Sequence, residues 1–212
     1  MSTPTSLELP DRVRRTSIRT ARGVFAALEA APASGVCERE AALLVPGYTG
    51  SKEDFLAILD LLADDSRHVV AIDMRGQFDT AGAEDPGGYA AAGVPGHVVA
   101  FLGRRMLGND PDGLVLMAAH MLAAPDRTAE LARLDRLPIL VIYGENDNSW
   151  SPAAQENMAR RLGARRLCIP AAVHSPAVEA PATTSSALTQ FWDAAEAAQT
   201  YPAYPATVAG TA

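Results

Sequence analysis

The sequence predicts an α/β fold in which a mostly parallel sheet of about six strands is flanked by helices. Two observations carry this. Residues 41–45, 68–72 and 138–143 are short, continuous apolar runs, the composition of strands buried on both faces. The first two enclose a segment with helical spacing, and a strand, helix, strand order gives a right-handed parallel unit by default. At 212 residues the chain is long enough for one domain with a sizeable core, expected to span 1–198.

The elements follow in order. Residues 13–20 and 23–29 alternate in polarity and predict a hairpin turning near Gly23. The run at 41–45 ends at Pro46 and Gly47. Ser51 then opens a helix: Asp54 stands three residues on, as in a capping box, and Phe55, Ile58, Leu59 and Leu62 recur at helical spacing. The strand at 68–72 ends at Asp73. Residues 79–95 are rich in Gly, Pro and Ala and read as a loop, followed by helices at 98–107 and 111–122, the second capped by Asp110 with Pro111 in its first turn. A short helix is expected at 125–134. After the strand at 138–143, Ser151, Pro152 and Gly163 mark the ends of another helix. A strand at 166–169 and a helix at 183–197, with Leu188, Phe191 and Trp192 inward, complete the domain. The tail 199–212, rich in Ala, Pro and Thr, is expected to be disordered.

Composition excludes several classes of function. A formal charge of −7 argues against nucleic acid as a partner, because phosphate binding needs a basic surface. The arginines read as solvated faces, and Lys52 is the only lysine. No run approaches a membrane span and the N-terminus has no leader-like apolar stretch, so the expected compartment is the cytoplasm. Cys37 and Cys168 form no CxxC pattern, and Cys168, in an apolar run, is expected to be a buried inert thiol. The four histidines share no i, i+4 spacing, so neither a metal site nor any other cofactor is expected.

Three motifs carry the chemistry. VPGYTGSKEDF (45–55) is a glycine turn between a strand and a helix; VIYGENDNSW (141–150) puts Asp147 in the loop after a strand; IPAAVHSPAVEAP (169–181) puts His174 in the loop after the last strand. Each alone is an ordinary turn. Together and in this order they resemble the α/β-hydrolase superfamily of serine esterases and lipases, over residues 13–79 and 109–192. The resemblance implies that the Tyr48 N–H serves the oxyanion hole, that Asp147 is the triad acid and His174 the triad base, and that the helices at 97–124 are a lid remnant. The turn Asp73 to Gly76, in AIDMRGQFDTAG, resembles the family's D-x-R-G turn, whose role is structural.

The centre of the pattern is missing. No serine or cysteine lies between Ser66 and Ser149, where the family's G-x-S-x-G nucleophile elbow belongs. AAHMLAA (118–124) echoes an elbow in outline, but Met121 stands where the serine would and alanines replace the glycines that let the turn form; it reads as helix. HVVAFLGRR (97–105) offers no nucleophile either. Ser51 caps a helix and Ser175 belongs to the histidine's own loop, so neither reads as a replacement. Only 63 residues separate Met74 from Pro138, whereas two strand-helix units of roughly thirty residues each and a lid would have to fit there. This predicts an internal deletion with its junction near 89–95. The strands at 41–45 and 138–143, flanking the deletion, must either pair directly or leave open apolar edges that favour association; the expectation is direct pairing in a closed, narrower parallel sheet of about six strands, with lowered stability and a tendency to self-associate.

Two functions from different classes remain. One is a carboxylic-ester hydrolase by family, catalytically impaired, with Asp147 and His174 retained and only weak action of His174 on water. The other is a non-catalytic pseudoenzyme that holds a small apolar or acyl-type ligand or acts in regulation. A third reading is that the shortening leaves no working protein.

Overall fold

The computed structural model describes residues 3–21, 23–64, 66–74, 76–80, 96–134 and 137–198. The hairpin forms as its alternation predicts: β1 (Val13–Thr20) and β2 (Gly23–Ala30) pair antiparallel with Val13 opposite Ala30 and Thr20 opposite Gly23. β3 (Ala42–Leu44) and β4 (Val69–Ile72) pair in parallel, with Leu43 opposite Val70, and β4 also pairs antiparallel with β2. This four-stranded sheet has the order β1-β2-β4-β3.

Between β3 and β4 the chain makes a 3-10 turn (Lys52–Phe55) and then α1 (Leu56–Ala63). The Asp54 carboxylate accepts the Ser51 N–H at 3.2 Å, one half of the expected capping box. Leu56, Ile58, Leu59, Leu62 and Ala63 of α1 are buried against Leu28, Leu44, Val69 and Ala71 of the sheet, and this face is the main core. Burying a side chain such as Leu59 stabilises the fold by about 1.5–3 kcal/mol. The last helix, α7 (Pro181–Ala198), adds Leu188 and Trp192 to the same core.

Beyond β4 come α2 (Gly96–Leu107), α3 (Pro111–Ala123) and the single turn α4 (Thr128–Leu131). Asp110 caps α3 by accepting the Asp112 N–H at 3.1 Å. Residues 118–123 are helical within α3, in line with reading that run as helix. The expected loop at 79–95 lies outside the described residues except for Asp79 and Thr80, as do the junction at 89–95 and the tail 199–212.

The C-terminal part starts with β5 (Leu140–Gly144), continues through α5 (Pro152–Leu162) and returns on β6 (Arg165–Ile169), which pairs in parallel with β5. Gly163 ends α5 with a left-handed φ of 64°, a conformation that a Cβ would strain. A short α6 (Pro176–Glu179), not expected from the sequence, leads into α7.

Three expectations are corrected. β3 and β5 do not pair: the six strands form a sheet of four and a sheet of two, with no described strand between them. α6 packs against α1, the 3-10 turn and β5, so β5 meets the first part of the fold through a helix rather than through a ladder to β3. Cys168 is exposed, not buried, because β5 is the only described strand beside β6 and the face opposite Ile169 is uncovered. Arg67 and Arg105 are buried rather than solvated. Arg67 donates to the Glu40 carbonyl at 2.5 Å and to Glu196 at 2.5 Å and stacks on Trp192, while Arg105 donates to Asp54 at 2.5 Å. Partners of this kind make buried guanidinium groups tolerable.

Candidate active site

The turn after β3 and the loop after β6, with α6 behind it, line one cavity. Its volume is about 230 Å³, with Gly47, Tyr48 and Gly50 on one side and His174, Ser175 and Val178 on the other.

His174 and Asp147, from two different loops, are brought together: His174 Nδ1 lies 3.1 Å from Asp147 Oδ1 and 3.3 Å from Oδ2. Their loops are held by backbone bonds, Glu145 N–H to the Ile169 carbonyl at 3.0 Å and Asn146 N–H to the Ala172 carbonyl at 2.9 Å. Gly144 permits this close approach, because a Cβ there would collide with the Val173 and Ala172 carbonyls. On the histidine side, Glu179 of α6 accepts the N–H groups of Val173 and Ser175.

Asp147 is fixed from several directions. Its Oδ1 accepts the Ser149 N–H at 2.9 Å and the Trp150 N–H at 3.0 Å, and its Oδ2 accepts Gln155 Nε2 at 2.9 Å. Burial works to raise its pKa, but these bonds and the one to His174 outweigh burial and hold the carboxyl below its ordinary value. The carboxylate is thus ionised near neutrality and lies within hydrogen-bond distance of His174. The His174 side chain is 42 % exposed against 5 % for Asp147.

The turn opposite is equally well supported. Asp73 is fully buried; its Oδ1 accepts the Lys52 N–H at 2.8 Å and its Oδ2 accepts Lys52 Nζ at 2.7 Å. Lys52 Nζ also meets Asp79 at 2.7 Å and Glu53 at 3.1 Å. Burial opposes its charge, yet the three carboxylates prevail and hold its pKa above the ordinary lysine value. Gln77 Nε2 donates to the Gly47 carbonyl at 3.2 Å, fixing the turn from below. No described residue accepts a hydrogen bond from the Tyr48 N–H, and the Tyr48 hydroxyl reaches the Leu114 carbonyl of α3 at 3.4 Å.

Sequence reasoning missed Lys52, Gln77, Gln155 and Glu179 as supports. Lys52, the only lysine and one residue past the helix start, was the one with a signal. Of the serines weighed as substitutes, Ser51 is fully buried and accepts a bond from Arg105 at 3.4 Å, while Ser175 lines the cavity.

No family model matches the sequence and no curated protein does. Solved structures do. A membrane phospholipase A described as a bacterial virulence factor is 14 % identical, with a TM-score of 0.69 over 87 % of each chain. A serine hydrolase of carbazole degradation is 11 % identical, with a TM-score of 0.65 over 86 % of this chain and 99 % of its own. A soluble variant of monoglyceride lipase from Saccharomyces cerevisiae is 12 % identical, with a TM-score of 0.60 over 92 % of this chain and 99 % of its own. At such identities the likeness is one of architecture, and the protein has the α/β-hydrolase fold.

Proposed function

We propose that the protein is an ester hydrolase by descent that still holds an acyl-type ligand between Tyr48 and His174 but is catalytically impaired. One juxtaposition carries this reading: a hydrogen-bonded Asp147–His174 pair faces a glycine turn across a single cavity, while no serine or cysteine occurs between Ser66 and Ser149. An ester carbonyl oxygen placed on the Tyr48 N–H would be polarised there. With no hydroxyl to activate, His174 can act only on water: the water oxygen attacks the carbonyl carbon, its proton passes to the ring nitrogen, and the same proton leaves with the departing alcohol. No acyl-enzyme forms. The step adds little over background hydrolysis, because the bulk of such catalysis comes from nucleophile, base and oxyanion hole acting as a unit.

The apolar cavity walls Pro46, Phe55, Ala177 and Val178 favour a second reading, binding of a small apolar ligand without turnover. Stopped-flow hydrolysis of p-nitrophenyl butyrate distinguishes an impaired enzyme from an active one. The expected trace has no burst, and the steady rate stays within about twofold of that of His174→Ala. A stoichiometric burst, or a wild-type rate orders of magnitude above the variant's, would overturn the proposal.

A further inference from the structure

α3 is apolar on every side and uncovered. Val115, Leu116, Met121 and Leu122 are exposed, positions that at 3.6 residues per turn fall all round the helix, and none of its residues is buried. Between Asp112 and Asp126 the only ionisable side chain is His120. A helix apolar all round is normally enclosed by protein or lipid, and its 13 residues are too few to cross a bilayer.

The same chain carries a groove that matches it. Between α4 and α5, Leu131, Leu134, Met158 and Leu162 line a space of about 570 Å³ to which α3 contributes no residue. α3 is tied elsewhere near its start: the Asp110 N–H donates to the Gly76 carbonyl at 2.8 Å, and the Tyr48 hydroxyl to the Leu114 carbonyl at 3.4 Å. Only residues 124–127 separate the end of α3 from α4, so the two lie at most roughly 18 Å apart. Helix and groove are thus close enough for one two-fold axis to satisfy both.

Charge selects what covers the helix. α3 is bracketed by Asp110, Asp112 and Asp126, with no Lys or Arg from 110 to 126, so it suits an anionic lipid surface poorly. The segments that build the groove, 127–134 and 152–166, carry six arginines against two glutamates in a chain whose net charge is −7. The acidic helix ends and the basic groove are complementary. We propose that the protein forms a two-fold dimer by exchanging α3, each copy's helix lying in the α4–α5 groove of the other with its aspartates toward the arginines. Such a contact is made twice and closes at two copies.

Sedimentation equilibrium of the full chain tests this with Leu122→Asp in α3 and Leu134→Arg in the groove. The two residues are 91 % and 56 % exposed, so both variants should fold. The wild type is expected to dimerise, and each variant should raise the dimer Kd at least about tenfold, because a charge replaces an apolar contact. An equimolar mixture of the two variants decides between interfaces. Each mixed pair regains one unaltered helix-in-groove contact, so the mixture should associate more tightly than either variant alone. A monomeric wild type, an unchanged Kd in either variant, or a mixture no tighter than the variants alone would overturn the proposal; the last result would point to α3 packing on α3.

Discussion

At the scale of single residues, the two halves of the site are held by groups with opposite pH responses. The folded-state pKa of Asp147 is lowered, so its contribution to stability is full above the unfolded value of about 4 and is lost as pH falls through the folded value. Thermal melts between pH 2.5 and 7 should show this acid-side loss in the wild type and less of it in Asp147→Asn. For Lys52 the folded pKa is raised, so its contribution is full below the unfolded value and fades only as pH rises through the folded one. Lys52→Met leaves Asp73 buried without its cation and should cost about 3–5 kcal/mol by denaturant titration. Gly144→Ala should destabilise by about 1–3 kcal/mol, since the new Cβ meets the Val173 and Ala172 carbonyls. Asp147 and His174 were legible in the sequence because each follows an apolar strand in a recognisable order. Gln155 and Glu179 were not, because a hydrogen bond from a helix to a neighbouring loop leaves no periodicity and no fixed spacing to read.

At the scale of elements, periodicity was a good guide wherever a segment was long or both ends were marked. The β1–β2 hairpin, α1, α3 and α5 all lie within a few residues of where alternation, Asp110, Pro152 and Gly163 put them. α6 escaped because four residues, Pro176–Glu179, are too few to show a helical repeat. Strand pairing was not legible either: β3 and β5 are both apolar, but composition alone does not specify which edges meet. β3 is an edge strand of the four-stranded sheet, with its Leu43 61 % exposed. Such an edge promotes association. Leu43→Lys should reduce concentration-dependent light scattering while changing stability by no more than about 0.5 kcal/mol, as expected of an exposed position.

At the scale of the whole molecule, the four-stranded and two-stranded sheets are joined through α6 and α7 on α1 rather than through a continuous ladder. α3 has no buried residue among those described, and Val115, Leu116, Met121 and Leu122 are exposed along it. Together with the β3 edge this predicts self-association in sedimentation velocity as concentration rises; a single monomeric species over a hundredfold range would contradict it. The fold is the α/β-hydrolase fold, Asp147 is hydrogen-bonded to His174, and His174 and Tyr48 line one cavity, yet no serine or cysteine lies between Ser66 and Ser149. Intact-mass spectrometry after incubation with a fluorophosphonate tests this combination most directly: the chain should keep its unmodified mass, and one phosphonate adduct per chain, lost in His174→Ala, would show that a serine such as Ser175 serves as nucleophile.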